Sequence, residues 1–182
     1  MKLLIVIGSL RAASFSRKLA LATEGLGPDG MSFEIIDGRD LPLYDQDLDT
    51  DEKPPAVQAL VEQITGADAL FFVTPEFNYG IPGSLKNLID WASRPAFRSP
   101  LKGKPALLAA LSPAPTGGVR AYTQLATVLA GTLTPTFLAP SFLVPTAHEK
   151  FDEAGALIDE QTKRRLARML EEFGTWAAGQ AS

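Results

Sequence analysis

The chain has 182 residues, 46% hydrophobic and 21% charged, which suits one compact domain (1–182) with a sizeable core. Lys and Arg number 17 against 21 Asp and Glu, a net charge of −4 with no long basic stripe, so no nucleic-acid partner is expected. The chain lacks cysteine, which excludes disulfides, thiolate nucleophiles, iron–sulfur ligation and Cys-based zinc sites, so any redox chemistry must reside in a bound group.

The chain opens on "KLLIVI" from Lys2, a short apolar run that ends in Gly-Ser-Leu-Arg. It fits neither a signal peptide nor a membrane span, so a cytoplasmic chain with no membrane association is expected. "SRKLALATEGL" follows with apolar residues spaced for one helix face, then the strand-like "SFEII" from Ser32. Gly38 to Pro55 is the longest irregular stretch, too acidic and Pro-flanked for a core element. After it come helical "PAVQALVEQITGA", the apolar run "ALFFV" from Ala69 and helical "GSLKNLIDWAS". "PALLAAL" from Pro105 precedes "VRAYTQLATVLAG", and a Pro-interrupted "TFLAPSFLV" from Thr136 precedes "DEQTKRRLARMLEEFGTWAA". The strand-like runs start roughly 30 to 37 residues apart, as strand-helix-strand units require.

Several of these runs are apolar at consecutive positions, the mark of parallel strands covered on both faces. The expected fold is therefore α/β, a three-layer sandwich around a five-stranded parallel sheet. The dinucleotide-binding order 3-2-1-4-5-6 normally has six strands, so five favour the flavodoxin-like order 2-1-3-4-5. In that order the sheet reverses between strands 1 and 3, and a ligand crevice opens between the loops after Ile7 and Val73.

Those two loops have unusual compositions. In "GSLRAASFS" a helix starting near Phe15 or Ser16 presents free N–H groups and the positive end of its dipole. Ser9, Ser14 and Ser16 add hydroxyls and Arg11 a charged fork, which suits a phosphomonoester. The plainer alternative is that Ser14 or Ser16 only caps the helix while Arg11 is solvated. Arg17 and Lys18 are expected on the solvent face. No G-x-x-x-x-G-K-[ST] or G-x-G-x-x-G pattern is present, which argues against a P-loop or a pyrophosphate site. In "TPEFNYGIPG" two prolines and two glycines hold Glu76, Phe77, Asn78 and Tyr79 at the strand end, a platform for a flat polar ring. A third turn, "SPAPTGGV", ends in Gly117 and Gly118, where backbone can approach a ligand.

"GSLRAASFSRKLA", "PLYDQDL", "TPEFNYGIPGSLKNLIDWASRP" and "AHEKFDEAGALIDE" together resemble the NADPH-dependent FMN reductase family of flavodoxin-like quinone, chromate and azo-dye reductases, over nearly the whole chain. The resemblance implies FMN as cofactor and NADPH or NADH as co-substrate. It places Ser9, Arg11, Ser14 and Ser16 around the FMN phosphate, with Leu10 and Phe15 from the same loop. Pro75, Glu76, Phe77, Asn78 and Tyr79 would line the isoalloxazine, and Ser112 with Gly117 and Gly118 would reach its other edge. Ser16 stands where the family usually has Asn, and Phe77 where Tyr is common, departures that imply altered affinity and a retained site. Hydride would pass from NAD(P)H to FMN, and electrons then to small-molecule acceptors (quinones, azo dyes, nitroaromatics or chromate) with ping-pong kinetics. A homodimer or homotetramer is also implied. The competing expectations are an electron carrier and a flavin-binding regulatory module, neither turning over pyridine nucleotide.

Other constellations point elsewhere. His148 is the only histidine and no G-x-S-x-G is present, which argues against a serine hydrolase. Asp45, Asp47, Asp49 and Asp51 begin like a calcium loop, but Thr50 stands at the turn glycine and Ala56 at the bidentate glutamate, so a solvated loop and no metal site are expected. Trp91 reads as packing. No side chain is assigned a catalytic role.

Overall fold

A strand that is apolar at consecutive positions needs a covering layer on each face, and β1 (Lys2–Ile7) is apolar and buried from Leu3 to Ile7. The computed structural model describes residues 1–180. Among them β1, β2 (Ser32–Ile36), β3 (Ala69–Pro75), β4 (Ala106–Leu111) and β5 (Thr136–Val144) form one parallel sheet in the order β2-β1-β3-β4-β5. Leu3, Ile5 and Ile7 face one way and pack with Leu19 of α1 (Phe15–Glu24) and with Leu166, Leu170 and Phe173 of α5 (Glu160–Ala178). Leu4 and Val6 face the other way, toward Leu60, Leu88 and Leu125 of α2 (Pro55–Thr65), α3 (Gly83–Ala92) and α4 (Val119–Gly131). The two-residue alternation of strand side chains thus feeds two separate cores, one on each face.

Right-handed crossovers place α1 on one face and α3 and α4 on the other, because the chain steps from β1 toward β2 and then from β3 toward β5. The sheet therefore reverses between β1 and β3, as expected. At the edge, Leu107 pairs with Phe137 and Ala109 with Phe142, so a single β4 position faces the exposed stretch from Leu138 to Ser141. Pro140 cannot donate to a ladder, and this edge bulge is where its missing N–H is tolerated.

Residues 38–54 are irregular apart from a 3-10 turn at Gln46–Leu48, but they are firmly anchored to α3. Asn87 Nδ2 and Trp91 Nε1 both donate to the Pro42 carbonyl (2.9 and 2.8 Å), while Tyr44 N–H donates to Asn87 Oδ1 at 2.7 Å. Trp91 is buried, with Tyr44 edge-on at 4.9 Å. The acidic run is solvated only in part. Asp49 is turned inward and paired with Lys53 and with Arg94 Nε at 2.6 Å.

Candidate functional site

The last rung between β1 and β3 is the Gly8 N–H donating to the Val73 carbonyl at 2.9 Å, after which the two chains part. From Ser9 to Ser16 only the N–H groups of Arg11 and Ser14 find acceptors among the described residues, at Ser9 Oγ (3.4 Å) and the Arg11 carbonyl (3.1 Å). Ser14 caps α1, its Oγ accepting from Arg17 N–H at 3.2 Å, so the helix starts at Phe15 as the sequence indicates. Ser16 does not cap. Its side chain is 1% exposed, and its Oγ is the one buried side-chain polar atom without a hydrogen-bond partner among the described residues. Native proteins rarely leave such a group alone, and a ligand is one of the few explanations.

A cavity of about 220 Å³ lies at this point. Ser9, Arg11, Ser14, Phe15 and Ser16 line it from the first loop, Pro75, Glu76 and Phe77 from the second, and Leu111 and Pro113 from the end of β4. The N–H groups of Phe15 and Ser16 have no intrahelical acceptor, and the Arg11 guanidinium makes no hydrogen bond among the described residues, so the site favours an anion. Phe15 is braced by stacking on Phe151 at 5.9 Å, and Leu10 is exposed at the rim. Two larger clefts, of about 410 and 440 Å³, lie beside α1 and at the N-terminal edge of the sheet, but neither contains an unpartnered buried side chain.

Arg17 faces solvent only in part, its side chain 30% exposed. Arg17 Nη2 donates to Asp37 Oδ2 at 2.7 Å, because α1 runs back over the end of β2. Lys18 is half-buried, with its ammonium 5.7 and 5.9 Å from the rings of Phe15 and Phe151.

The second loop is a tight hairpin. Phe77 and Gly80 exchange both N–H···O bonds at 2.9 Å, with Asn78 and Tyr79 at φ of 49° and 66°. Positive φ at both central residues is the geometry of a type I′ turn. It leaves Phe77 54% and Tyr79 73% exposed, with the Arg120 guanidinium over the Tyr79 ring at 4.2 Å. Glu76 lines the cavity with its carboxylate already engaged by α4. Its carboxylate accepts from the N–H groups of Arg120 (3.0 Å) and Ala121 (3.3 Å) and from Arg120 Nη1 (3.3 Å), closing the start of α4, whose N-cap, Gly118, has no side chain.

In the third turn Ser112 Oγ accepts from Ala114 N–H at 3.1 Å. Gly117 and Gly118 have φ of 62° and 83°, and the close approach they allow is to the sheet itself. A Cβ on Gly117 would lie 3.0 Å from Pro145 N, and one on Gly118 3.1 Å from Ala110 Cβ. Leu10, Asn78, Tyr79, Ser112, Gly117 and Gly118 are therefore near the crevice without lining this cavity. Leu111 and Pro113 line it although the sequence did not single them out. The alternation of β4 carried one step past its end would have indicated both, since positions 111 and 113 share a side that Ser112 does not.

Comparison with known proteins gives a consistent picture. An NAD(P)H-dependent FMN reductase of Pseudomonas aeruginosa is 38% identical over 175 residues, covering 96% of this chain and 94% of that protein. A 2-hydroxy-1,4-benzoquinone reductase of Burkholderia is 36% identical over 176 residues, covering 97% and 96%. Among solved structures, the flavoenzyme NAD(P)H:(acceptor) oxidoreductase FerB of Paracoccus denitrificans superposes with a TM-score of 0.89 at 32% identity, covering 98% of each chain. With residues 1–149 matching the description of the NADPH-dependent FMN reductase family as well, the chain belongs to that family.

Proposed function

We propose that this protein is an NAD(P)H-dependent FMN oxidoreductase that delivers electrons to quinones. The observation that carries the reading is Ser16 Oγ, buried and unpartnered at the N-terminus of α1 inside a cavity with Arg11 at its rim. Ser9, Ser14, Ser16 and the free N–H groups of α1 hold the FMN phosphate, and Arg11 adds a charge-assisted contact. Phe77, Asn78 and Tyr79 flank the isoalloxazine on the hairpin side. Leu10, Phe15, Pro75, Ser112 and the turn through Gly117 and Gly118 complete the surround. Glu76 contributes by fixing this hairpin to α4.

FMN, once bound, supplies the hydride-accepting and electron-donating chemistry that the side chains lack. The protein orients the ring, keeps water from one of its faces and leaves one mouth, at Phe77 and Tyr79. Coenzyme and acceptor use that mouth in turn, so the kinetics are ping-pong, with azo dyes, nitroaromatics and chromate as further acceptors. The same reading takes the chain as a single cytoplasmic domain that assembles as a homodimer or homotetramer with its boundary beside the exposed aromatics.

The test is anaerobic addition of NADPH, then NADH, to the FMN-loaded protein while following the flavin absorbance, with free FMN as control. Bleaching absent from the control supports a reductase and ranks the two coenzymes. Bound FMN whose band does not change would indicate an electron carrier or a regulatory module, and failure to bind FMN would refute the site.

A further inference from the structure

Beside the cavity, at the end of β2, Asp37 gathers two guanidinium groups. Its carboxylate accepts from Arg39 Nε (2.9 Å), Arg39 Nη2 (2.9 Å) and Arg17 Nη2 (2.7 Å), and also from the Arg39 backbone N–H (3.1 Å). The Asp37 side chain is only 7% exposed, whereas that of Arg39 is 48% exposed, so the carboxylate is the fixed point and Arg39 the arm. Arg39 Nη2 reaches on to the Leu10 carbonyl at 3.3 Å, the only protein partner of that oxygen among the described residues.

In a trans peptide the C=O and the following N–H point in opposite directions. The Leu10–Arg11 bond is trans, so drawing the Leu10 carbonyl outward to Arg39 turns the Arg11 N–H inward. There it meets Ser9 Oγ at 3.4 Å, long enough for a stronger acceptor to take over the proton. Ser9 and Arg11 both line the cavity.

We propose that Arg39, clamped by Asp37, is a positioning residue for the anion-binding loop: it sets the Leu10–Arg11 peptide plane so that the Arg11 N–H faces the phosphate. The inference rests on the reading of the cavity as the FMN phosphate site. It separates from a plain charge effect by sign. Asp37→Asn removes a negative charge and leaves both guanidinium groups, so electrostatics alone would tighten phosphate binding. Positioning predicts the reverse, because the clamp on Arg39 is lost. Arg39→Lys preserves the charge but not the planar fork that pairs with a carboxylate and still reaches a carbonyl.

The experiment is the dissociation constants of FMN and of riboflavin, which lacks the phosphate, for the wild-type protein and for Asp37→Asn, Arg39→Lys and Arg39→Met. The expected result is a riboflavin-to-FMN ratio well above one in the wild type and about tenfold smaller in all three variants, the size of one lost hydrogen bond to a charged group. Riboflavin affinity itself should not change. A tighter or unchanged FMN complex in Asp37→Asn, or equal weakening of both flavins, overturns the proposal. A wild-type ratio near one instead overturns the phosphate reading beneath it, and the two failures are thereby distinguished.

Discussion

Removing the Ser16 hydroxyl should move stability in opposite directions with and without FMN. A buried polar atom without a partner costs about 1–3 kcal/mol, and Ser16 Oγ is such an atom in the ligand-free protein. Ser16→Ala relieves that cost, so the unliganded variant should be about 1 kcal/mol more stable, a Tm rise of about 2–4 °C at this chain length. In the complex the same change deletes a hydrogen bond to a charged phosphate, worth about 1.5–3 kcal/mol, so Kd should rise roughly ten- to hundredfold. At an FMN concentration 100 times the wild-type Kd, binding stabilises the wild type by about 2.7 kcal/mol. A variant weakened about thirtyfold gains only about 0.9 kcal/mol under those conditions, a shortfall of about 1.8 kcal/mol that its initial advantage of about 1 kcal/mol does not offset. The melting curves should therefore change order, variant above wild type without FMN and below it with FMN. Scanning calorimetry with and without FMN, together with flavin fluorescence titration for Kd, reads both effects. If the variant melts lower in both conditions and binds FMN like the wild type, Ser16 is an ordinary core serine and the reasoning is wrong.

Arg11→Ala should weaken FMN about tenfold, measured by flavin fluorescence, since it removes one charge-assisted contact from a partly exposed rim. Asp49→Asn should cost about 1.5–3 kcal/mol of stability in urea unfolding at neutral pH by weakening the charge-assisted contacts to Lys53 and Arg94. Burial pushes the Asp49 carboxyl up, but hydrogen bonds from Lys53 and Arg94, with their charges, outweigh it and hold it below the usual range. Because the folded form has the lower pKa, the wild-type advantage is full above about pH 4 and shrinks as pH falls through the folded value, a trend that urea titrations at a series of pH values would read. Gly117→Ala places a Cβ 3.0 Å from Pro145 N at φ of 62°, and should lower Tm by about 5–10 °C in calorimetry. Glu76→Ala uncaps α4 and should lower Tm by about 3–6 °C.

Most of the fold was legible because its determinants are local. β1 begins at Lys2, β2 at Ser32 and β3 at Ala69, where the strand-like runs begin, and the consecutive apolar residues of β1 and β3 mark strands covered on both faces. β4 begins one residue late, at Ala106, because Pro105 has no N–H to give the ladder. α1 stops at Glu24, short of the apolar Leu26, where Gly25 forms the C-cap. The crevice between the loops after β1 and β3, where the candidate site lies, followed from strand order by the same kind of rule.

The direction of each polar side chain was not legible, because the deciding partner is far away in sequence. The Glu76 carboxylate looks uncommitted until α4 brings it N–H groups from 44 residues away. Asp49 looks solvated until Arg94 reaches it from 45 residues away, and Arg17 until Asp37 does from 20. In the sequence these residues and Ser16 are alike, polar residues near turns. What separates them is whether the folded protein supplies a partner. The charges at Glu76, Asp49 and Arg17 are satisfied internally and hold loops in place, whereas the buried hydroxyl of Ser16 has no partner among the described residues. In choosing a candidate ligand site, unsatisfied burial is therefore a sharper criterion than residue type or the presence of charge.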